Sequence, residues 1–321
     1  MHSFEELSEQ FARYFDQRHF PNEPSSLYEP NEYFLRLGGK RIRPVLCAMG
    51  NELFDDIRPD AWEVATAIEL FHNFTLIHDD IMDKAPLRRG METVHKKFGS
   101  STAILAGDVM LVVAYEHLNK IDLGFLHPIL ALFNQTGKEV CEGQQLDMDF
   151  ENKDTVSLDE YLRMIELKTS VLLAASLKMG AVLGGAGERN QGLIYEFGKK
   201  LGLAFQVQDD YLDAFGDPAK FGKQVGGDIM SNKKTFLLIH AMETASTARQ
   251  KELKDLLKSD KDDKVNRIVQ LFHDCKVDEW ALQLKNKFLD ESFAHLEDIA
   301  VLSKRKQPLM ELAHFLVQRE N

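Results

Sequence analysis

With 321 residues, 44% of them hydrophobic, the chain can bury a sizeable core. Its formal net charge of −12 excludes the broad basic surface that nucleic acid binding requires. Cys47, Cys141 and Cys275 are isolated in sequence, which leaves neither a CxxC metal site nor a disulfide framework and points to a reducing compartment. The opening MHSFEELSEQ is acidic and amphipathic, unlike a signal peptide. The most apolar stretches are interrupted by Asp108 and Lys178 and read as too short to span a bilayer, so a soluble, cytoplasmic protein is expected. With no linker and no low-complexity tract, one domain over 1–321 is expected.

Phe4, Leu7, Phe11 and Phe15 recur at helical spacing and predict an amphipathic helix over 3–19, broken by the cluster Pro21, Pro24 and Pro30. A short helix around 31–37 ends at Gly38-Gly39, and Pro44 can open the next helix in its first turn. A long helix is predicted over 61–83. Pro86 and Gly90 bound a loop carrying Arg88 and Arg89, and helices follow over 101–118 and 129–150. No proline occurs between Pro128 and Pro218 and no strand-like alternation is visible, which suits long helices. The Ala- and Gly-rich stretch Met179 to Gly187 predicts a close helix crossing followed by a turn. Residues 216–232, long, polar and rich in glycine, form a candidate lid. The run over 258–266 reads as a solvated charged segment.

The chemistry sits at the ends of two helices. In IELFHNFTLIHDDIMD (68–83) the apolar residues recur three or four apart, and Asp79, Asp80 and Asp83 close the helix. Carboxylates are unfavourable at that end of the helix dipole, so a positive partner is expected. Asp79 and Asp83, four apart, share a face, with Asp80 about 100° round, an arrangement suited to oxygen ligation of a hard divalent ion such as magnesium. A lone motif of this kind is as well explained by acidic residues ending a core helix in solvent. A second copy, Asp209, Asp210 and Asp213 in LAFQVQDDYLD, again follows an apolar helical run. Two such clusters can face one another across a bundle interior and hold several ions. Asp55, Asp56 and Asp60 lack this spacing and contain Pro59 between them, so they read as a surface turn. Lys40, Arg41, Arg43, Arg88 and Arg89 concentrate positive charge in an acidic chain, which points to a small anionic ligand.

The stretches GGKRIRP (38–44), HDDIMDKAPLRRG (78–90), AILAGD (103–108), GQQLD (143–147), KTS (168–170), FQVQDDYLD (205–213) and GKQVGGDIMSNKKT (222–235) together resemble the trans-type isoprenyl diphosphate synthases, which include farnesyl and geranylgeranyl diphosphate synthases. The resemblance implies an all-α fold, a single large helical bundle of the isoprenoid synthase type with a central catalytic cavity, and a homodimer. It implies a prenyltransferase that joins isopentenyl diphosphate to an allylic diphosphate (dimethylallyl, geranyl or farnesyl) with several Mg2+ ions, for which Mn2+ can substitute. It assigns the metal-bound allylic diphosphate to Asp79, Asp80, Asp83, Asp209 and Asp210, with Asp213 nearby. Lys40, Arg43, His72 and Arg89 are implied to bind isopentenyl diphosphate. Arg88, Lys168, Lys223 and Lys233 match positions that contact the allylic diphosphate, and Thr169 and Gln206 match those lining the cation. Without the resemblance, His72 on an apolar helix would read as a satisfied core residue, and Lys168 as a solvated one. Asn232 departs from the family pattern, where glycine is frequent.

A class I terpene cyclase would normally carry a different second acidic motif and would not need GGKRIRP. A catalytically silent partner subunit should have lost a metal ligand, and both acidic motifs are intact. For product length, Phe74 lies five residues before Asp79, about 7.5 Å back along the helix, and Thr75 beside it is smaller. In family terms this pair resembles geranylgeranyl synthases, so a C20 product is expected, with C15 second.

Overall fold

The computed structural model describes residues 1–216, 226–259 and 263–318. Its helices are α1 (Phe4–Phe15), α2 (Ser25–Arg36), α3 (Ile42–Glu52), α4 (Pro59–Met82), α5 (Val94–Phe98), α6 (Ser100–Leu118), α7 (Leu123–Asn152), α8 (Leu158–Ile165), α9 (Val171–Leu183) and α10 (Glu188–Phe215). Further helices cover Gly227–Met230, Phe236–Thr244, Thr247–Leu257, Lys264–Asp274, Val277–Glu297 and Ser303–Gln318. The strands among the described residues are β1 (Leu87–Arg88) and β2 (Met91–Glu92), a two-stranded antiparallel hairpin. The expected all-α class is therefore observed.

The chain divides into two compact units. The first, Met1–Phe133 with Ser176–Gln191, is built round α4. This helix is buried on most sides, from Ala61 and Val64 to Leu70 and Phe71, and packs most extensively against α6 and then α3. Pro59 opens α4, where its missing N–H costs nothing. Asp60 accordingly lies in a helix and pairs with Arg58, while Asp55 and Asp56 stay in the expected exposed turn. α1 begins with a Ser3–Glu6 capping box and buries Leu7, Phe11 and Phe15. The expected close crossing exists: a Cβ on Gly180 would lie 1.9 Å from the Cys47 carbonyl oxygen, so α9 and α3 meet backbone to backbone.

Three expectations need correction. Proline interrupts these helices less than expected: α2 contains Pro30 and α7 contains Pro128, so each begins several residues earlier than predicted. α6 is long and apolar enough by length and composition to cross a bilayer, despite Asp108. Its Ala103, Ala106, Met110 and Ala114 are buried within the first unit, while Ile104, Leu105 and Val112 are exposed. Lys264, within the segment expected to be a solvated charge run, is buried and donates to Asn232 Oδ1 at 2.7 Å.

The second unit, Asn134–Ala175 with Gly192–Asn321, holds α8 and most of α7 and α10. Between α8 and α9, Glu166–Ser170 forms one turn of π-helix. Glycines admit this wider turn: Cβ atoms on Gly143 of α7 and Gly202 of α10 would lie 2.3 Å from Lys168 N and 2.7 Å from Ser170 Cα. Such π turns inside helices are frequent at functional positions, and this one carries Lys168 and Thr169.

Candidate active site

In the first unit α4 ends in the first aspartate motif, with Asp83 as its C-cap. The positive partner expected there is Arg88, delivered by the hairpin. Its Nε lies 2.9 Å from both Asp80 oxygens, and its Nη2 lies 2.7 Å from Asp80 Oδ1 and 3.8 Å from Asp79 Oδ2. Asp80 is only 1% exposed, whereas Asp79 is half-buried and Asp83 exposed. The middle carboxylate is thus anchored, while Asp83 is exposed and Asp79 keeps its Oδ1 buried.

A cluster of cationic side chains adjoins this motif within the same unit. Arg43 Nη1 lies 3.1 Å from His72 Nε2. Burial, with Arg43, Arg89, Arg88 and Arg41 close by, drives the His72 pKa well below its usual value. The imidazole is therefore neutral and accepts from Arg43 through Nε2. Burial also pulls Arg43 down to about 10, and its Nε is buried with no hydrogen-bond partner. Arg89 is likewise lowered, first by burial and then by Arg41. Gly39 leaves room for it, since a Cβ there would sit 2.9 Å from the Arg89 guanidinium. Lys40 is exposed on the adjoining turn. Arg41, in contrast, is paired with buried Glu69 and donates to the Leu35 carbonyl at 3.1 Å, so it serves the fold. Further back on α4, the Phe74 ring meets Phe71 and His78 with centroids 5.7 and 4.9 Å away, and Thr75 Oγ1 donates to the His72 carbonyl.

In the second unit, Asp209, Asp210 and Asp213 occupy the last turns of α10. Here too the middle carboxylate is anchored. Asp210 is 4% exposed, accepts from the Tyr161 hydroxyl at Oδ2, and accepts from Gln206 Nε2 at 2.8 Å on Oδ1. Burial raises its pKa to about 7; Lys233 pulls it down and Asp228 pushes it up. Asp213 is raised as well, chiefly by burial, and its Oδ2 accepts from the Asp228 amide at 3.0 Å. Lys168 pairs with Asp147 at 2.7 Å, and Thr169 follows it on the π turn. Lys223 lies outside the described residues, as does most of the candidate lid; within 226–232, Gly227–Met230 is a short helix.

Among the described residues, no three His, Cys, Asp or Glu side chains converge tightly enough to hold a metal ion by themselves. Within each unit the donor chemistry still suits a hard cation that takes its remaining ligands from a substrate, since the three motif side chains are carboxylates. The orphaned Arg43 Nε in turn suits a phosphate oxygen. Sequence reasoning does not single out Tyr161, Asp147 or Asp228. Asp147 and Asp228 stand inside two of the stretches that carry the resemblance, GQQLD and GKQVGGDIMSNKKT, while Tyr161 has no signal beyond its place seven residues before Lys168.

An acidic motif ends a helix in each unit, and in the first unit a cluster of cationic side chains lies beside it. The chain belongs to the polyprenyl synthetase family, whose profile matches residues 24–274, and its members transfer prenyl groups. It is 40% identical over 270 residues to the short chain isoprenyl diphosphate synthase of Methanocaldococcus jannaschii, covering 83% of this chain and 80% of that protein. It is 34% identical over 315 residues to the geranylfarnesyl diphosphate synthase of Natronomonas pharaonis, covering 92% and 91%. A crystal structure of a geranylgeranyl pyrophosphate synthase superposes with a TM-score of 0.95 at 42% identity over 100% of both chains.

Proposed function

We propose that this prenyltransferase condenses isopentenyl diphosphate with an allylic diphosphate and delivers mainly the C20 product, geranylgeranyl diphosphate. The observation that carries the reading is two different chemistries beside each other in the first unit: carboxylates at Asp79, Asp80 and Asp83, and a cationic cluster in which the buried Arg43 Nε has no hydrogen-bond partner. In the reaction the allylic C–O bond breaks, a C–C bond forms to isopentenyl diphosphate, and diphosphate and a proton leave. Magnesium held by Asp79, Asp80, Asp83, Asp209, Asp210 and Asp213 would neutralise the charge developing on the departing diphosphate.

The chain's own residues divide the two substrates. Lys40, Arg43, neutral His72 and Arg89 hold isopentenyl diphosphate by charge-assisted bonds, so that only the allylic partner is set to ionise. Arg88 anchors Asp80 and supplies positive charge to the allylic diphosphate, joined by Lys168, Lys223 and Lys233. Thr169 and Gln206 present oxygens to the cationic carbon, which needs no protein nucleophile. Phe74, with Thr75 beside it, closes the apolar path along which the product grows. The same reading makes the protein a single-domain, soluble, cytoplasmic homodimer.

Support for C20 comes from the 42%-identical geranylgeranyl pyrophosphate synthase and from the aromatic ring at 74. The geranylfarnesyl diphosphate synthase relative favours C25 as the second reading. Incubation with Mg2+, isopentenyl diphosphate and each allylic starter, followed by chromatography of the dephosphorylated alcohols, tests both. A C20 alcohol that disappears in excess EDTA is expected. Absence of any elongated product, or full turnover in EDTA, overturns the proposal.

A further inference from the structure

Tyr161 is among the largest fully buried side chains, yet it ends in a hydroxyl. A buried phenol needs a partner, and the one it finds is Asp210 Oδ2, while Gln206 Nε2 takes Oδ1. Its ring packs near Phe236, with centroids 6.2 Å apart. The first aspartate motif solves the equivalent problem with a cation, since Arg88 grips both oxygens of Asp80. The two anchors differ in chemistry: Asp80 is held by a charged guanidinium, whereas Asp210 is held by hydrogen bonds from a neutral phenol and an amide, geometry that orients the carboxylate.

We infer that Tyr161 is a positioning residue, whose hydroxyl holds the Asp210 carboxylate in the orientation from which the second aspartate motif takes up a divalent cation. This rests on the reading of that motif as metal-binding. The phenol acts through Asp210, removing the carboxylate's rotational freedom before the ion arrives. Partners that orient a ligand in this way typically govern a 10–100-fold range of metal affinity.

The test is a calorimetric titration of the full-length protein with Mn2+ in the presence of inorganic diphosphate. Tyr161→Phe, which keeps the ring and removes the bond, should weaken Mn2+ binding about 10–100-fold and leave binding of isopentenyl diphosphate in EDTA unchanged. Phe236→Leu serves as the structural control, because it loosens the packing around the same ring: its melting temperature should fall, with Mn2+ affinity held within about threefold. Wild-type Mn2+ affinity in Tyr161→Phe, beside a loss in Asp209→Ala, would overturn the inference alone. Wild-type affinity in Asp209→Ala would overturn the metal reading on which it rests. A Tyr161→Phe variant that loses both ligands equally would show a structural role and also refute it.

Discussion

Replacing Gly143 with alanine tests whether close helix approach places the π turn. An ideal Cβ at 143 would lie 2.3 Å from Lys168 N and 2.7 Å from Leu167 C and Lys168 Cα. The shortest of these is 1.1 Å inside the 3.4 Å at which ordinary contact begins, and all three atoms are backbone, which cannot swing aside. α7 and the turn must therefore separate by about 1 Å, an overpacking that costs roughly 1–3 kcal/mol. Alanine recovers about 1 kcal/mol of helix propensity, so a net loss of up to about 2 kcal/mol is expected. Because the turn carries Lys168 and Thr169, the same displacement should lower kcat/KM for the allylic diphosphate by up to about 100-fold. Urea denaturation and steady-state kinetics measure the two effects. Gly192→Ala on α10, where a Cβ meets nothing within 4 Å, is the comparator, and should gain about 0.5–1 kcal/mol with unchanged turnover. A Gly143→Ala enzyme as stable and active as the wild type would refute the reasoning.

Arg43→Ala should raise KM for isopentenyl diphosphate by about 10–100-fold, the worth of a charge-assisted bond, with little change for the allylic substrate; a rise confined to the allylic KM would reverse the two assignments. Asp80→Ala strands Arg88 beside a buried void and should cost about 3 kcal/mol in urea melts, against under about 1 kcal/mol for Asp83→Ala, and equal losses would count against the anchoring role of Asp80. Phe74→Ala should lengthen the product, at a cost of roughly 2–3 kcal/mol because the ring is only half-buried; an active variant with an unchanged product profile would place the floor elsewhere. His19, lowered to about 4 mainly by burial and further by His117, Lys120 and Arg41, is neutral in the fold. Its contribution is complete above the unfolded value of 6.5 and is lost as pH falls from 6.5 towards 4; the shift sets a ceiling of about 3 kcal/mol, or roughly 1–2 kcal/mol after allowance for solvent screening. His19→Gln should flatten the stability profile across that window, and an acid slope equal to the wild type's would exclude His19 as its source.

The parts of the site that are legible in the sequence are those set by local spacing. Asp79 to Asp83 and Asp209 to Asp213 fall on helix ends because an apolar 3.6-residue period runs into each, and the Ala- and Gly-rich stretch at 179–187 announces a backbone-close crossing. The hidden parts depend on contacts distant in sequence. Tyr161 reaches Asp210 across 49 residues, and Lys168 reaches Asp147 across 21, pairings that no periodicity encodes. Burial reverses other readings: Lys264 belongs to a charged run by composition, yet its stem enters the core and its ammonium finds Asn232. The π turn is invisible because a residue added to a helix changes no propensity, only the register of the residues beyond it.

Arg41, Lys84 and Arg89 hold left-handed backbone, with φ of 49°, 52° and 53°. For residues with a Cβ this conformation costs about 1–2 kcal/mol each, a strain glycine would not feel. At position 89 the strain coincides with a guanidinium that the proposed function gives to a phosphate of isopentenyl diphosphate, so under that reading stability and substrate capture pull the same residue in opposite directions. A programme that evolves this enzyme for heat tolerance alone would drift towards glycine at 89 and steadily discard affinity for the extending substrate. Selection would have to score melting temperature and isopentenyl diphosphate turnover together for that arginine to survive.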